Sequence, residues 1–423
     1  MINEEFLHFI WKFQLFDFSN LKTTEQQDLQ ILKPGLHNHN AGPDFLNAKV
    51  KLNSIIWFGD VELHVKSSDW LKHKHQLDEN YNTVVLHVVF EDDIEIKLEN
   101  EAVLPCLELK SLIPEKYLNE YDTLFHSISN LPCGYAIGKL DSLFWTSYSE
   151  KLLIERLESK MHKIQNLFIE ANKDYKECFY QLLAYALGLK INAEAMLDLA
   201  KISPLLLLQK HRDNRMIVEA ILYGQSGLLI RKYNTDYPIT LQSAYSFLAQ
   251  KYKLKPNSPT QWKFFRLRPS SFPSLRISQL ADFVLKSDAI FEQLFNFKNT
   301  KAIVPFFKLQ VSDYWNRHYV FDKTTKQSNK EIGKSTLDLI LINAVLPFCF
   351  FYARQKSDLE MLVRVVEAYQ SISPEDNKII RYFIEAKVQV KSADKSQAII
   401  HLHEYYCIPR KCLNCRVFNQ ILK

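Results

Sequence analysis

Alternating, strand-type sequence is confined to roughly residues 45–100 of this 423-residue chain, and beyond about residue 140 apolar side chains recur every three or four positions. Leu153, Leu157, Met161, Ile164 and Phe168 form one such helical face, and DYKECFYQLLAYALG repeats the pattern up to Gly188. Further helices are expected near 192–201, 216–223, 240–252, 276–286, 335–353, 358–371, 375–388 and 396–406. With only 9 glycines the chain is poorly suited to a fold of many tight turns. The pattern predicts an α/β module over residues 1–130 and a larger all-α region over 131–423, divided near ISNLPCGYAIG. No fixed period relates the helices, so a helical repeat is not expected.

Hydrophobic residues make up 47% of the chain, enough for sizeable cores and too many for a disordered one. The formal charge of +5 permits a nucleic-acid partner without arguing for one. MINEEFLHFIWKFQLF begins acidic and then turns amphipathic, unlike a secretory signal. The longest apolar run, LDLILINAVLPFCFFYA, is broken by Asp338, Asn343 and Pro347, which predicts a buried helix and no membrane span. Seven cysteines, an odd number, do not make a disulfide framework, and a cytoplasmic protein is expected.

Chemistry concentrates in GPDFLNAKVKLNSIIWFGDVELHVKSSDW, residues 42–70. Two strands, 45–52 and 55–66, flank a turn at Asn53-Ser54, and a short helix is expected from about Trp70. A helix over 4–16 precedes them. TVVLHVVFEDD follows as a central strand, and IEIKLE alternates as a partner. On the second strand Asp60, Glu62, His64 and Lys66 share one face, and ionisable groups in a row are costly to bury unless they bind something.

This layout resembles the PD-(D/E)xK nuclease core, with its restriction-endonuclease-like mixed sheet and flanking helices. Pro43-Asp44 starts one strand, and Glu62 lies 18 residues on, where that family has Glu-x-Lys. The resemblance implies a metal-dependent phosphodiesterase of DNA or RNA, with Asp44 and Glu62 as ligands of Mg²⁺ or Mn²⁺. His64 replaces the family's lysine, as metal ligand or general base, and Lys66 is a weaker substitute. The alternative is a non-enzymatic adaptor carrying a degenerate nuclease module that binds nucleic acid or protein. Along nearly its whole length the chain also resembles the bacterial family catalogued as domain of unknown function 2851. FLHFIWKFQLF, HNHNAGPDFLNA, GDVELHVKSSDW, FRLRPSSFPSLRISQLA and YYCIPRKCLNC carry that resemblance, which implies no activity.

Six histidines lie between residues 37 and 87. His37 and His39 read as solvated, whereas His73 and His75 follow the carboxylate strand and can fold over its end. His87, inside an apolar run, reads as a core residue or a partner supporting Glu62. In FRLRPSSFPSLR, Arg266, Arg268 and Arg276 suit phosphate contacts, with Phe265 and Phe272 to stack on bases. Lys210, His211, Arg212 and Arg215 form a second basic group, and salt bridging between helices explains either patch alone. Cys407, Cys412 and Cys415 are spaced C-x4-C-x2-C, a spacing that presents thiolates to one ion. Lys411, Arg410 and Arg416 beside them are expected to favour thiolates. Cys133 or His403 completes the set, around Zn²⁺ or alternatively a [4Fe–4S] cluster.

Overall fold

Asn3 opens α1 (Glu4–Phe13) by accepting the N–H of Phe6 at 3.0 Å, a side-chain cap for a helix whose Phe6, Leu7, Phe9, Ile10 and Trp11 are buried. The computed structural model describes residues 2–38, 40–98 and 101–422. The chain divides into one unit of Met1–Leu140 with His403–Lys423 and another of Asp141–Leu402. The first unit therefore runs past residue 130 and takes back the last stretch of the chain.

The first unit is a mixed sheet with helices. After α1 come β1 (Leu29–Lys33), β2 (Leu36–His37), β3 (Phe45–Leu52), β4 (Ile55–Lys66), α2 (Asp69–Lys72), β5 (Val84–Glu91) and β6 (Cys106–Glu108). The order across the sheet is β1-β3-β4-β5-β6, with β2 also pairing β3. The pairs β1–β3 and β3–β4 are antiparallel, whereas β4–β5 and β5–β6 are parallel. Helix α1 packs on β4, and Trp11 Nε1 anchors it by donating to Pro34 O at 3.0 Å.

Strand β4 does not keep the expected in-and-out alternation. Ile55–Phe58 are all exposed, whereas Val61, Leu63, Glu62 and His64 are all buried. The second half lies between β3 and β5 with helix packed over it, so neither face reaches water. Pairing of β3 with β4 slips between Phe45 and Ala48. There Asn47 takes a left-handed φ of 56° and donates its N–H to Asp60 Oδ1 at 2.8 Å. Asp60 Oδ2 accepts the Thr83 hydroxyl at 2.6 Å, so Asp60 ties the bulge to the strand entry. The segment IEIKLE pairs nearby, Lys97 bridging Val103 with Leu104 N–H donating to Ile96 O at 2.9 Å, while β6 is the strand beside β5.

The second unit is helical apart from a two-stranded ribbon, His318–Val320 with Lys323–Thr324. Its helices include Ser142–Glu170, Tyr175–Leu187, Ala193–Ile202, Arg215–Gln225, Asp236–Tyr252, Pro273–Phe295 and Leu359–Gln370. Gly188 ends its helix in ordinary right-handed geometry, and a Cβ there would lie 2.3 Å from Asn192 O, so space rather than φ demands glycine. Lys334–Lys356 is, among the described residues, the one helix long and apolar enough to cross a membrane, and 72% of its most apolar stretch is buried inside the protein.

That helix widens into a π turn at Leu341–Val345, just before Pro347. Pro347 has no N–H to give Ile342 O, and its ring crowds the preceding turn. The orphaned carbonyl accepts instead from Lys160 Nζ at 3.2 Å and Tyr369 OH at 3.0 Å.

Candidate active site

Register places the carboxylates. Phe45 stands opposite Val61, so Asp44 just ahead of β3 meets Glu62 on β4. The Asp44 N–H donates to Glu62 Oε2 at 3.0 Å, and Asp44 Oδ2 accepts the Leu63 N–H at 3.0 Å. Asp44 Oδ2 also lies 3.0 Å from His8 Nε2 on α1. Glu4, one helical turn before His8, feels the charges of Asp44, His8 and His73. Neither Glu4 nor His8 was expected from sequence. Their spacing of four on an amphipathic helix is the signal that was there to find.

Glu62 Oε1 faces the imidazoles. It lies 3.3 Å from His75 Nε2 and 3.7 Å from His64 Nε2. His64 Nε2 is in turn 3.1 Å from His73 Nδ1. One ring nitrogen from each of His64, His73 and His75 lies within 4.8 Å of the others. His73 and His75 reach this position because α2 is a single turn and the chain doubles back through 3-10 turns at His75–Leu77 and Glu79–Tyr81. Tyr81 stacks on His75 with ring centroids 3.8 Å apart, and the buried Trp70 packs edge-on against it. His64 is buried and His73 exposed, so the cluster opens to solvent on the His73 side.

Support from beneath fixes His64. Its Nδ1 lies 2.9 Å from His87 Nε2 in a buried contact, which leaves Nε2 to face the cluster. His87 thus supports His64 and not Glu62. Burial followed by the negative charge of Asp44 pushes the Glu62 carboxyl up to about 9. Burial, then the neighbouring imidazoles of His87, His75 and His73, pushes His64 down to about 2. Burial likewise takes His87 down to about 3. For His8 the bond to Asp44 overcomes burial, and its pKa is raised. His75 Nε2, though buried against Glu62, makes no hydrogen bond. An imidazole nitrogen turned on a carboxylate without bonding to it fits a cation between them.

The ligand separations agree with such an ion. Bonds of about 2.0–2.1 Å to nitrogen and oxygen put tetrahedral ligands roughly 3.3–3.4 Å apart. Three of the contacts, at 3.1, 3.3 and 3.7 Å, bracket that edge, and the three imidazole nitrogens all lie within 4.8 Å of one another. Three imidazoles and one carboxylate suit Zn²⁺ or Mn²⁺ better than Mg²⁺, which prefers oxygen. Asp44, expected as a ligand, spends Oδ2 on Leu63 and His8.

Other expected site residues lie elsewhere. Lys66 is exposed at the end of β4. His37 stacks on Phe45 at 4.9 Å, and His39 lies outside the described residues. In the second unit Arg266 and Arg268 are exposed, Arg266 beside the exposed Phe265. Arg276 is buried and donates to Gln279 Oε1 at 2.8 Å, so the three arginines are not one surface patch. Arg215 binds Glu219, Asp282 and the carbonyls of Ser278 and Gln310, and Arg212 pairs with Asp288, the structural role expected of helix-bridging cations. Cys133, Cys407, Cys412 and Cys415 come together in the first unit around one cavity. Contrary to expectation the thiols of Cys133, Cys407 and Cys412 are pushed up by burial, Cys133 to about 12 and Cys412 to about 11, and for Cys407 and Cys412 burial outweighs the help of Arg410.

Over residues 4–378 the chain matches the family described as protein of unknown function (DUF2851), and it belongs to that family. No curated protein and no solved structure matches it.

Proposed function

We propose that this member of the DUF2851 family is a metal-dependent phosphodiesterase acting on DNA or RNA, built on a restriction-endonuclease-like unit. The observation that carries this reading is the convergence of ring nitrogens of His64, His73 and His75 within 4.8 Å of one another, with Glu62 Oε1 beside His64 at 3.7 Å and His75 at 3.3 Å. The order helix, antiparallel strands β1 to β4, helix, parallel strand supports the nuclease likeness, as does Asp44 at the start of one strand with Glu62 on the next.

In this reading Glu62 and the three histidines hold the cation, and Asp44 holds His8. A divalent cation there lowers the pKa of a water and neutralises charge on the phosphate under attack. His8, with its protonated form favoured by Asp44, is the group suited to deliver a proton to the departing oxygen. His87 keeps His64 in the tautomer whose Nε2 is free to ligate.

The second reading, a binding module of nuclease descent, is favoured by the burial of Glu62 and by the carboxylate oxygens spent on main-chain N–H groups. Stripping the protein of metal, reloading it and supplying single- and double-stranded DNA and RNA separates the two. Cleavage with Mn²⁺ or Zn²⁺ that disappears in Glu62→Gln is the expected result. Cleavage undiminished in Glu62→Gln would remove the cluster from the chemistry.

A further inference from the structure

Four cysteines from distant parts of the sequence meet in the first unit. Cys133 precedes the short helix Gly134–Ile137, and the other three come from the returning tail. Cys133, Cys407, Cys412 and Cys415 line one cavity, closed by Leu124, Pro132, Tyr406, Val417 and Phe418. Every pair among the four is close enough for each thiolate to raise the pKa of its neighbour. None of the seven cysteines is in a disulfide, these four included.

The backbone is built to present them. Cys412–Asn414 form a 3-10 turn, and Cys415 N–H donates to Cys412 O at 3.0 Å, so both ends of the x2 pair face one point. Arg410, at a left-handed φ of 58°, turns the chain between Cys407 and Cys412. Its Nη2 donates to Ser127 O at 2.6 Å and Ser129 O at 3.0 Å, clamping the tail to the segment that leads into Cys133. Phe418 packs against Phe9 of α1 with centroids 5.1 Å apart.

We propose that Cys133, Cys407, Cys412 and Cys415 are the ligands of one thiolate-bound metal centre that fastens the tail to the first unit. Four thiols crowded in an apolar cavity repel one another when ionised, and a shared soft cation turns that arrangement into a favourable one. Cys133 is the fourth ligand rather than His403, because Cys133 lines the cavity with the other three. The cavity of about 20 Å³ has room for a body the size of a water. A set of four thiolates suits either a single zinc ion or a cysteine-ligated iron–sulfur cluster, and metal analysis distinguishes the two. This centre is independent of the histidine cluster, and neither proposal rests on the other.

The test is anaerobic purification of the full chain, followed by iron, zinc and acid-labile sulfide analysis and a visible spectrum. A Glu62→Gln, His73→Ala background removes metal held at the histidine cluster. Near-stoichiometric metal is expected, either one zinc per chain or brown protein with iron and sulfide in [4Fe–4S] proportion, with several-fold less retained in Cys133→Ser and in Cys412→Ser. Cys349→Ser, altering a buried cysteine of the other unit, is expected to retain the full amount. Colourless protein with one zinc per chain, lost in Cys133→Ser, would support the four-thiol centre and assign it to zinc. Wild-type protein with neither metal would overturn the centre itself, as would metal equally retained in the Cys133 and Cys412 variants.

Discussion

Asp44 and Glu62 are bound to each other through the main chain: the N–H of Asp44 donates to Glu62 Oε2, while the Asp44 carboxylate takes the N–H of Leu63, each at 3.0 Å. The carboxylates are side by side because of strand register, and each has one oxygen committed. Glu62 Oε1 faces the imidazoles of His64 and His75, while Asp44 Oδ2 faces His8.

Replacing Asp44 separates its structural role from its chemical one. In Asp44→Asn the side-chain oxygen still accepts from Leu63, whereas Asp44→Ala leaves that N–H without an acceptor beside a buried side chain. Denaturant unfolding is expected to show Asp44→Ala less stable than Asp44→Asn by about 1–3 kcal/mol. Both variants are expected to lose activity to a similar degree, since neither holds His8 as a carboxylate does. Equal stabilities would mean the Leu63 bond contributes nothing.

Stability of the metal-free protein is expected to peak near pH 6.5 and fall on both sides. Glu62 is raised to about 9 from an ordinary 4.5, so its contribution is full below 4.5 and lost as pH rises through 9. His64 and His87 are lowered to about 2 and about 3 from 6.5, so theirs is present above 6.5 and lost as pH falls. Between 4.5 and 6.5 the two histidines outweigh the one carboxyl, and above 6.5 Glu62 lowers stability together with His8, whose pKa is raised. Thermal melts across pH are expected to show the alkaline fall in wild type and a much shallower one in Glu62→Gln. An identical fall in both would assign it to other groups.

The π turn before Pro347 offers a purely structural test. Lys160→Met and Tyr369→Phe each leave Ile342 O one donor; Tyr369→Phe is expected to cost about 0.5–1.5 kcal/mol, and Lys160→Met more, since Lys160 also donates to Asn343 and Gln397. The double variant strands a buried carbonyl and is expected to cost more than the sum of the two singles. Additive costs would show that the carbonyl finds another partner.

If the protein binds nucleic acid through exposed Arg266 and Arg268, replacing both by Ala is expected to lower affinity and flatten the salt dependence by roughly one log-log slope unit for each phosphate no longer neutralised. Melting temperature is expected to hold. An unchanged slope would remove both residues from any interface.

Much of this architecture was legible because local pattern and final structure agree. The hairpin strands Phe45–Leu52 and Ile55–Lys66 are the ones that alternation gave, and Asn53 turns between them with a left-handed φ of 51°. What escaped depends on distant chain. LQILK at 29–33 is too short to read as a strand, and it becomes one by pairing with β3. Asp60 shares a face with Glu62 in the sequence pattern, but the bulge in β3 captures it for Asn47 and Thr83. Glu4 and His8 join the site only because α1 packs on β4. The x2 spacing of Cys412 and Cys415 was visible, whereas the meeting with Cys133 depends on how the tail returns.

The most direct measurement uses an activated phosphodiester, bis(p-nitrophenyl) phosphate, which reads the centre without depending on the natural nucleic acid. Metal-stripped protein is assayed after reloading with Mn²⁺, Zn²⁺ or Mg²⁺, alongside Glu62→Gln and His75→Ala. Hydrolysis with Mn²⁺ or Zn²⁺, weaker with Mg²⁺ and at least 100-fold lower in both variants (about 2.7 kcal/mol of lost transition-state stabilisation), is what the account predicts. Folded, metal-loaded wild type that hydrolyses no faster than Glu62→Gln would contradict it.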